Sequence, residues 1–553
     1  MERQKQFGLG GRVLGFQNWW VSIILRPSEI FASLFSSVIP CMKTTLIAFL
    51  ASGVMAVQAA QTSSGVTSPA NSGQVTVPAP TAYHELERGA NHKVWQRETY
   101  EQGPGGKIIT HLHQYTELAT GMHYLSNGQW FESQEQINVL PDGTAAATQG
   151  QHQAHFPADI YEGSISLTTP DGQQLQSQPV GLSYDDGANI VFIAILTNSI
   201  GQLASSNEVI YPNAFTGVKA DMSYTYRKGG FEQDVVLRQQ PPTPESLGLN
   251  PATTKLQVVT EFFNPPEPSQ DTSVSAITDV TLKFGQMQII QGRAFIINPT
   301  PQPGQPLLTF ARQKLQNVPV GKSWVHVNGR TFLIEEVLLP QISAQLSTLP
   351  RNARLSLSSP SAASVLCKAS KSRLLPPTRL AQTSTNRIQL AQSSFNHNPG
   401  VVLDYITLNA NETNFTFQGD ATYYVSGEYN LLGTTIFEGG TVIKMNGYGQ
   451  IDLDHNGTVV CKTAAYRPAV FTSLNDDSVG EPVSSSSGAP VLGDANIFLN
   501  VNSTNLTVHD MRFSYHWFGI NQNPLPATLD VWNVSSPMGT LPSTPETSGC
   551  IMF

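Results

Sequence analysis

The acidic residues at positions 476–481 are the ones in this chain with the clearest potential for chemistry. Asp476 and Asp477 are adjacent, and Glu481 follows four residues after Asp477. Paired carboxylates serve as general acid and base in glycoside cleavage, or hold a calcium ion that assists a lyase. The alternative is a polar loop that leaves a strand and has no catalytic role. The basic residues that could face an acidic sugar there are Lys444, Lys462 and Arg467.

A second acidic motif, at residues 452–457, reads DLDHNG and matches the opening of a DxDxNG calcium loop. The side-chain oxygens of Asp452, Asp454 and Asn456 would converge on one hard cation. The twelfth position of such a loop requires a bidentate glutamate, and this chain has Thr463 there. The alternative is a strand in which the two aspartates share a solvent-facing side. Calcium is the one cofactor that the sequence suggests.

Histidine and aromatic side chains provide further candidates. His111 and His113 are two residues apart in a predicted strand and would point to one face, but a zinc site needs a third ligand. The chain has no GxSxG nucleophile elbow and no HExxH zinc motif. Aromatic residues at strand spacing either stack on sugars or belong to the core. These residues are Tyr124, Trp130, Tyr224, Tyr226 and Trp517.

The acidic motifs lie within or directly after a series of short β-type runs between residues 413 and 473. Runs such as TYYVSG, TTIFEGG and TVIKMNGYG alternate apolar with polar residues and stop at Gly or Asn, which tolerate positive φ. A second block, residues 496–520, repeats the pattern. A repeat of roughly 20 to 25 residues predicts a parallel β-helix, in which each coil buries its inward side chains against the next. A plain β-meander is the alternative.

The N-terminal half, residues 83–339, follows a different β pattern. Alternating runs such as MHYLSNGQWFES are separated by dipeptides that supply positive φ to tight hairpin turns, for example Asn127-Gly128 and Asn328-Gly329. Alternation of apolar and polar residues between tight turns is typical of half-buried antiparallel strands. The prediction is therefore all-β: an antiparallel β-sandwich-like module, then a partial right-handed parallel β-helix at residues 401–534.

Residues 42–59, MKTTLIAFLASGVMAVQA, have the features of a secretory signal peptide: one lysine, a short apolar run, and small residues at the cleavage site. Residues 1–41 then form a mis-assigned upstream extension, with Met42 as the initiator. The apolar run is shorter than the roughly 20 residues that span a bilayer. Residues 60–82 are rich in Ser, Pro and Gly and predict a flexible tether. We therefore expect a secreted or cell-surface protein, extracellular or periplasmic, with no transmembrane anchor.

Charge divides the rest of the chain. Residues 340–400 contain no Asp or Glu and seven basic residues, which predicts a Ser/Pro-rich linker. Residues 535–553 change to Pro, Ser and Thr, which predicts a disordered tail or the end of a truncated chain. The formal net charge of −9 argues against a nucleic-acid partner.

The segments GGTVIKMNGYGQIDLDHNGTVV and NLTVHDMRFSYHWFGI resemble coils of the pectin-lyase-like right-handed β-helix family. The resemblance covers about a fifth of the chain. That family includes polysaccharide lyases, glycoside hydrolases and non-catalytic adhesins. Of the hydrolase motifs only Asp476-Asp477 matches; the Asn-Thr-Asp, Gly-His-Gly and Arg-x-Lys motifs are missing. The N-terminal half is similar to β modules of large secreted bacterial proteins.

Three functions remain open. The leading hypothesis is a secreted, non-catalytic, modular surface or matrix protein that binds a polysaccharide or cell-surface glycan. The rival is a polysaccharide lyase or glycoside hydrolase that uses the acidic residues at 476–481. The third is a structural scaffold without a ligand.

Overall fold

A computed structural model describes nine stretches of the chain. All of them belong to one compact unit, Val75–Phe553. The predicted segments 1–41 and 42–59, most of 60–82, 352–385 and 391–399, and most of the tail 535–553 lie outside the described residues, as do Asp454 and Asn456. The described stretches are 76–274, 278–297, 318–351, 386–390, 400–453, 457–501, 505–522, 528–535 and 550–551.

The described residues form an all-β protein, as predicted. Two single 3₁₀ turns, Pro104–Gly106 and Pro244–Leu247, interrupt the strands. The first strands are β1 (His84–Arg88), β2 (His92–Gln102), β3 (Ile108–Leu118), β4 (His123–Ser126), β5 (Gln129–Glu132), β6 (Asn138–Val139), β7 (Ala145–Ala147), β8 (Gln153–Phe156) and β9 (Ile165–Thr168). They are followed by β10 (Gln174–Asp185), β11 (Ile190–Ile195), β12 (Gln202–Ser205), β13 (Glu208–Tyr211), β14 (Ala220–Arg227), β15 (Gly230–Leu237), β16 (Lys255–Phe262), β17 (Ser269–Val274), β18 (Thr278–Phe284), β19 (Met287–Ile290), β20 (Gly292–Ile297), β21 (Val318–Val327) and β22 (Arg330–Leu338).

The described residues contain one α-helix, α1 (Leu339–Ser347), at the start of the predicted linker 340–400. Pro340 fits the first turn of α1 because backbone N–H groups in that turn have no hydrogen-bond acceptor within the helix. Leu339, Ile342 and Leu346 of α1 are buried. The short strand β23 (Gln389–Leu390) pairs in parallel with β12. The described parts of this segment therefore pack against the antiparallel strands, because most of their few apolar side chains belong to the hydrophobic core that those strands form. Charge composition alone does not reveal this.

Strands β6–β23, together with β24 (Gly400–Ala410), pair with one another, almost all in antiparallel fashion. The tight turns form where the sequence predicts them: Asn328 and Gly329 both have positive φ and join β21 to β22. Strand β16 lies centrally, paired with β10 on one side and β22 on the other. Its alternate side chains Leu256, Val258 and Phe262 belong to the largest hydrophobic core of the molecule.

The C-terminal half contains three parallel sheets that the chain visits in turn. The first sheet orders its strands β27-β30-β33-β35-β37, the second β25-β28-β31-β34-β36, and the third β26-β29-β32. Strand β38 joins the second sheet in antiparallel fashion. The strands are β25 (Glu412–Thr413), β26 (Thr416–Phe417), β27 (Thr422–Val425), β28 (Glu428–Leu432), β29 (Thr434–Glu438), β30 (Val442–Met445), β31 (Gln450–Leu453), β32 (Thr458–Lys462), β33 (Ala469–Ser473), β34 (Ala495–Val501), β35 (Asn505–Phe513), β36 (His516–Gln522), β37 (Thr528–Ser535) and β38 (Cys550–Ile551).

Aromatic side chains stack between neighbouring parallel strands. Phe417 stacks on Phe437 with ring centroids 5.0 Å apart, and Phe471 stacks on Phe513 at 4.8 Å. All four are fully buried in one hydrophobic cluster. Neighbouring parallel strands thus bury aromatic side chains against one another.

Strand pairing crosses the predicted domain boundaries at both ends of the N-terminal half. Strands β1, β2 and β3 belong to the first sheet, where Thr116 of β3 pairs in parallel with Tyr423 of β27. Conversely, β24 follows the predicted boundary at 401 but pairs with β15, β19 and β20. Alternation of apolar and polar residues specifies a strand but not its partner, so the sequence pattern could not assign these strands.

Candidate functional site

The predicted acidic cluster lies in a loop, residues 474–494, that joins β33 to β34; we call it the covering loop. It packs on the outward side of the first sheet, where Tyr424 and Lys444 alternate with the inward Tyr423 and Ile443. Val483 of the loop is buried against Tyr424 and the neighbouring Tyr115 of β3. The covering loop therefore has a small hydrophobic anchor of its own.

Lys444 and Asp476 form the buried centre of this cluster. Lys444 Nζ donates a hydrogen bond to the main-chain oxygen of Asp476 at 2.7 Å, and the lysine side chain is fully buried. Burial lowers the pKa of Lys444, and the negative charges of Asp477, Asp476 and Glu481 oppose this shift. The structure thus brings together four of the six predicted catalytic residues.

The carboxylates of the cluster are all hydrogen-bonded within the protein. Asp476 Oδ2 accepts from Thr472 Oγ1 at 2.7 Å, and Asp476 Oδ1 accepts from the main-chain N–H of Ser478 at 3.1 Å. Asp477 Oδ1 accepts from Ser486 Oγ at 2.8 Å. Glu481 Oε2 lies 2.8 Å from Nδ1 of His113 on β3. These bonds tie the covering loop to itself and to the first sheet.

The other two predicted basic residues face a different part of the molecule. Lys462, at the end of β32 in the third sheet, lies 3.6 Å from Glu438. Arg467 Nη2 donates to Asp420 Oδ2 at 2.6 Å on the turn before β33. Both basic side chains are more than half exposed. The prediction that they join the acidic cluster is not supported, because Lys462 lies in the third sheet and Arg467 on the turn after it, each beside a different carboxylate.

Asp452, the described member of the predicted calcium motif, belongs to a row of amide side chains across the second sheet. Asp452 Oδ1 accepts from Asn500 Nδ2 at 2.6 Å, and Asp452 Oδ2 accepts from Gln450 Nε2 at 2.8 Å. Asn500 Oδ1 in turn accepts from Asn521 Nδ2 at 2.9 Å. Burial raises the pKa of Asp452 to about 7, and the charge of Glu428 adds to this shift. Among the described residues no group of three or more metal-ligand side chains occurs, so calcium stays a prediction.

We expect Asp452→Asn to stabilise the protein above neutral pH. A carboxyl whose pKa rises on folding contributes stability at low pH that is lost as pH rises through the folded value, here about 7. Asparagine has no proton to lose and keeps an oxygen for Asn500. The free energy of unfolding at pH 8 should rise by about 1 to 3 kcal/mol, allowing for partial solvent screening.

Urea unfolding at pH 4, 6 and 8 measures this effect. The gain should be small at pH 4, where wild-type Asp452 keeps its proton. Asp420→Asn is the control, because Asp420 is 77% exposed. Parallel pH profiles for wild type and Asp452→Asn would contradict the assignment.

The predicted histidine and aromatic sites separate into buried and exposed residues. Tyr224 and Tyr226 are fully buried and belong to the core. His111 contacts Glu101, whereas His113 contacts Thr99 and Glu481, so the two histidines have different partners. No sequence pattern indicates the contact between His113 and Glu481, because these residues are 368 positions apart.

An exposed aromatic patch lies where the chain turns from the first sheet to the second; we call it the aromatic corner, formed by Tyr448, Val491, Leu492, Asn496 and Trp517. Trp517 is 53% exposed and Tyr448 84%. Trp517 lies against the backbone of Gly493, where an added Cβ would come within 2.5 Å of the indole nitrogen. The turn before Tyr448 approaches the carbonyl of Asp494. The turn that holds Tyr448, the end of the covering loop and the start of β36 thus lie beside one another.

A cleft of about 480 Å³ lies in the antiparallel part, away from all these residues. Its carboxylate, Asp159, accepts hydrogen bonds from the main-chain N–H groups of Tyr161 and Ser199 and from Asn198 Nδ2. The remaining lining is mostly neutral and polar. The cleft therefore offers no pair of carboxylates for acid–base chemistry.

No protein-family model, curated protein or solved structure matches this chain. The resemblance to the pectin-lyase-like family therefore stays a prediction. Among the residues that the structure describes, no helix has the length and apolar character to cross a membrane. The functional proposal therefore rests on the surface chemistry of the two halves.

Proposed function

We propose that this chain is a secreted modular surface or matrix protein that binds glycans and does not cleave their backbone. In this proposal the C-terminal half is a right-handed parallel β-helix and the N-terminal half a β-sandwich-like module. The support for the helix is the order in which the chain visits three parallel sheets. The support for secretion is the signal-like segment 42–59.

The observation that carries glycan binding is the aromatic corner. The flat, apolar face of a sugar ring stacks on an exposed indole or phenol. Trp517 at the start of β36 and Tyr448 on the turn before β31 present such rings. Asn496, exposed next to Trp517 in the strand register, adds an amide that can donate to and accept from hydroxyl groups. Exposed apolar groups that cluster in this way mark binding surfaces.

The enzymatic alternative has weaker support from the geometry. Acid–base cleavage of a glycosidic bond needs two carboxylates that reach the scissile bond from either side. Asp476 is buried, and Asp477 is hydrogen-bonded to Ser486 of its own loop. Lys444, the basic partner brought to this cluster, is buried as well. The cluster is better suited to holding the covering loop in place.

Replacement of Trp517 with alanine tests the proposal. Loss of one stacking ring should weaken binding to the preferred polysaccharide by about five- to tenfold, which corresponds to roughly 1 kcal/mol. Binding is measured by calorimetry against a panel of neutral and acidic polysaccharides. Tyr466→Ala is the matched control, because Tyr466 is fully exposed on a turn that leads to β33, away from the aromatic corner.

Equal binding by wild type and Trp517→Ala would place the glycan surface elsewhere. Binding by none of the proteins across the panel would favour the ligand-free scaffold. Release of unsaturated or reducing-end products, dependent on calcium and lost in Asp476→Asn, would establish the lyase or hydrolase alternative instead.

A further inference from the structure

Three side chains from β2, β3 and the covering loop form a continuous hydrogen-bonded relay. His113 on β3 is its centre: its Nδ1 lies 2.8 Å from Glu481 Oε2, and its Nε2 lies 2.8 Å from Thr99 Oγ1 on β2. Glu481 is also fixed through its main chain, whose N–H donates to Thr422 Oγ1 at 2.9 Å. The relay thus joins the N-terminal hairpin to a loop of the C-terminal half.

The chemistry of the partners determines the direction of each hydrogen bond. An ionised carboxylate has no proton to donate, so Nδ1 of His113 carries the hydrogen that Glu481 accepts. In the neutral imidazole, Nε2 then has a free lone pair, and the hydroxyl of Thr99 donates to it. This is the order of nucleophile, general base and orienting acid in hydroxyl nucleophile sites.

The relay is open to solvent and lies beside a positive charge. The side chains of His113 and Glu481 are 26% and 31% exposed. Arg97 is the cross-strand partner of His113, and its side chain projects to the same face of the hairpin as Thr99, two residues further along β2. Its guanidinium lies 4.7 Å from the centre of the Tyr83 ring, which limits its motion. A cation at this place can stabilise an oxyanion.

The covering loop holds Glu481 in position. Ser484 Oγ and the Tyr115 hydroxyl are 3.0 Å apart, and Val483 is buried beside Tyr115. The acid of the relay is therefore positioned by packing as well as by its hydrogen bond. Preorganisation of this kind is what catalysis requires of an orienting group.

We propose that Thr99, His113 and Glu481 form an acyl-transfer site that hydrolyses esters of short acyl groups. Thr99 Oγ1 attacks the carbonyl carbon of the ester, its proton passes to His113 Nε2, and the imidazolium gives that proton to the departing alcohol oxygen. Water then attacks the acyl-threonine ester with His113 as base, which releases the carboxylic acid and restores the Thr99 hydroxyl. The partly exposed side chains of His113 and Glu481 leave the relay accessible to a small ester such as an acetate. This activity is independent of glycan binding at the aromatic corner.

Hydrolysis of p-nitrophenyl acetate by the purified protein tests the proposal. Thr99→Val keeps the shape of the side chain but removes the nucleophile, and His113→Gln removes the base. Each should lower kcat/KM by about 100-fold or more. His111→Gln is the control for a neighbouring histidine: His111 is the cross-strand partner of Thr99, but its ring is nearly half exposed and contacts Glu101. It should retain the wild-type rate.

A covalent readout separates catalysis from a structural role. An alkyl fluorophosphonate should label Thr99 in wild type and His111→Gln, as located by peptide mass spectrometry, and should leave His113→Gln unlabelled. Thermal unfolding midpoints that match the wild-type value confirm that the variants are folded. If a variant unfolds, labelling of Thr99 in the wild-type protein still tests whether Thr99 is the nucleophile. Absence of hydrolysis above buffer, an equal loss in His111→Gln, or absence of label on Thr99 would each overturn the proposal. None of these outcomes bears on glycan binding by Trp517.

Discussion

Replacement of Lys444 with alanine is expected to lower the free energy of unfolding by about 3 kcal/mol. The ammonium group of Lys444 is buried and hydrogen-bonded to the main-chain oxygen of Asp476. Without it that oxygen loses its donor, and Asp476 and Asp477 lose the positive charge that faces them. The covering loop should then detach from the first sheet.

Urea unfolding gives the change in stability, and limited proteolysis gives the detachment of the covering loop. Cleavage within residues 474–494 should be faster in Lys444→Ala than in wild type. Lys462→Ala is the matched control: Lys462 is 55% exposed, lies 3.6 Å from Glu438, and should contribute less than about 1 kcal/mol. Similar losses in the two variants, or unchanged cleavage of the loop, would refute the role assigned to Lys444.

Phe471→Ala should cost about 3 to 5 kcal/mol of unfolding free energy, the usual range for a buried phenylalanine. Phe471 is fully buried and contacts rings from three other strands: its ring centroid lies 4.8 Å from that of Phe513, 5.7 Å from that of Phe437 and 5.8 Å from that of Phe498. The cavity would fall in the middle of the stack. A partial collapse around it would place the cost at the lower end of the range.

Denaturant unfolding of Phe471→Ala and Phe471→Leu measures this contribution, and the leucine variant should recover part of the loss by filling the cavity. Phe131→Ala is the control for removal of the same ring from the surface, because Phe131 is 43% exposed on β5. Its cost should stay within about 1 kcal/mol. Equal losses of unfolding free energy for Phe471→Ala and Phe131→Ala would show that the stacked phenylalanine rings do not hold the parallel strands together.

Much of the all-β character could be predicted from the sequence because local rules govern it. Asn328-Gly329 forms a tight turn since both residues adopt positive φ readily, and the flanking runs alternate in register with that turn. The partners of β3 and β24 could not be predicted in the same way. A strand of alternating residues fits the edge of either half, and only the assembled surfaces decide between them.

The candidate site, too, could be predicted only in part. Asp476 and Lys444 come together because the covering loop follows directly on β33, which pairs with β30 in the first sheet. Lys462 is nearer to Asp476 in sequence than Lys444 is, yet it belongs to the third sheet. The relay of Thr99, His113 and Glu481 depends on contact between residues from opposite halves, which no local pattern contains.

The pairing of β3 with β27 also decides how the stack of parallel strands begins. Within the first sheet every later strand pairs in parallel with the strand before it, whereas β27 would otherwise present a row of unpaired N–H and C=O groups. Such an open edge recruits strands from other molecules and leads to fibres. The N-terminal hairpin occupies this edge from within the same chain. The open edge of the first sheet is thereby moved to β1, a strand of five residues that carries Glu85, Glu87 and Arg88. Short, charged edge strands disfavour pairing with strands of other molecules.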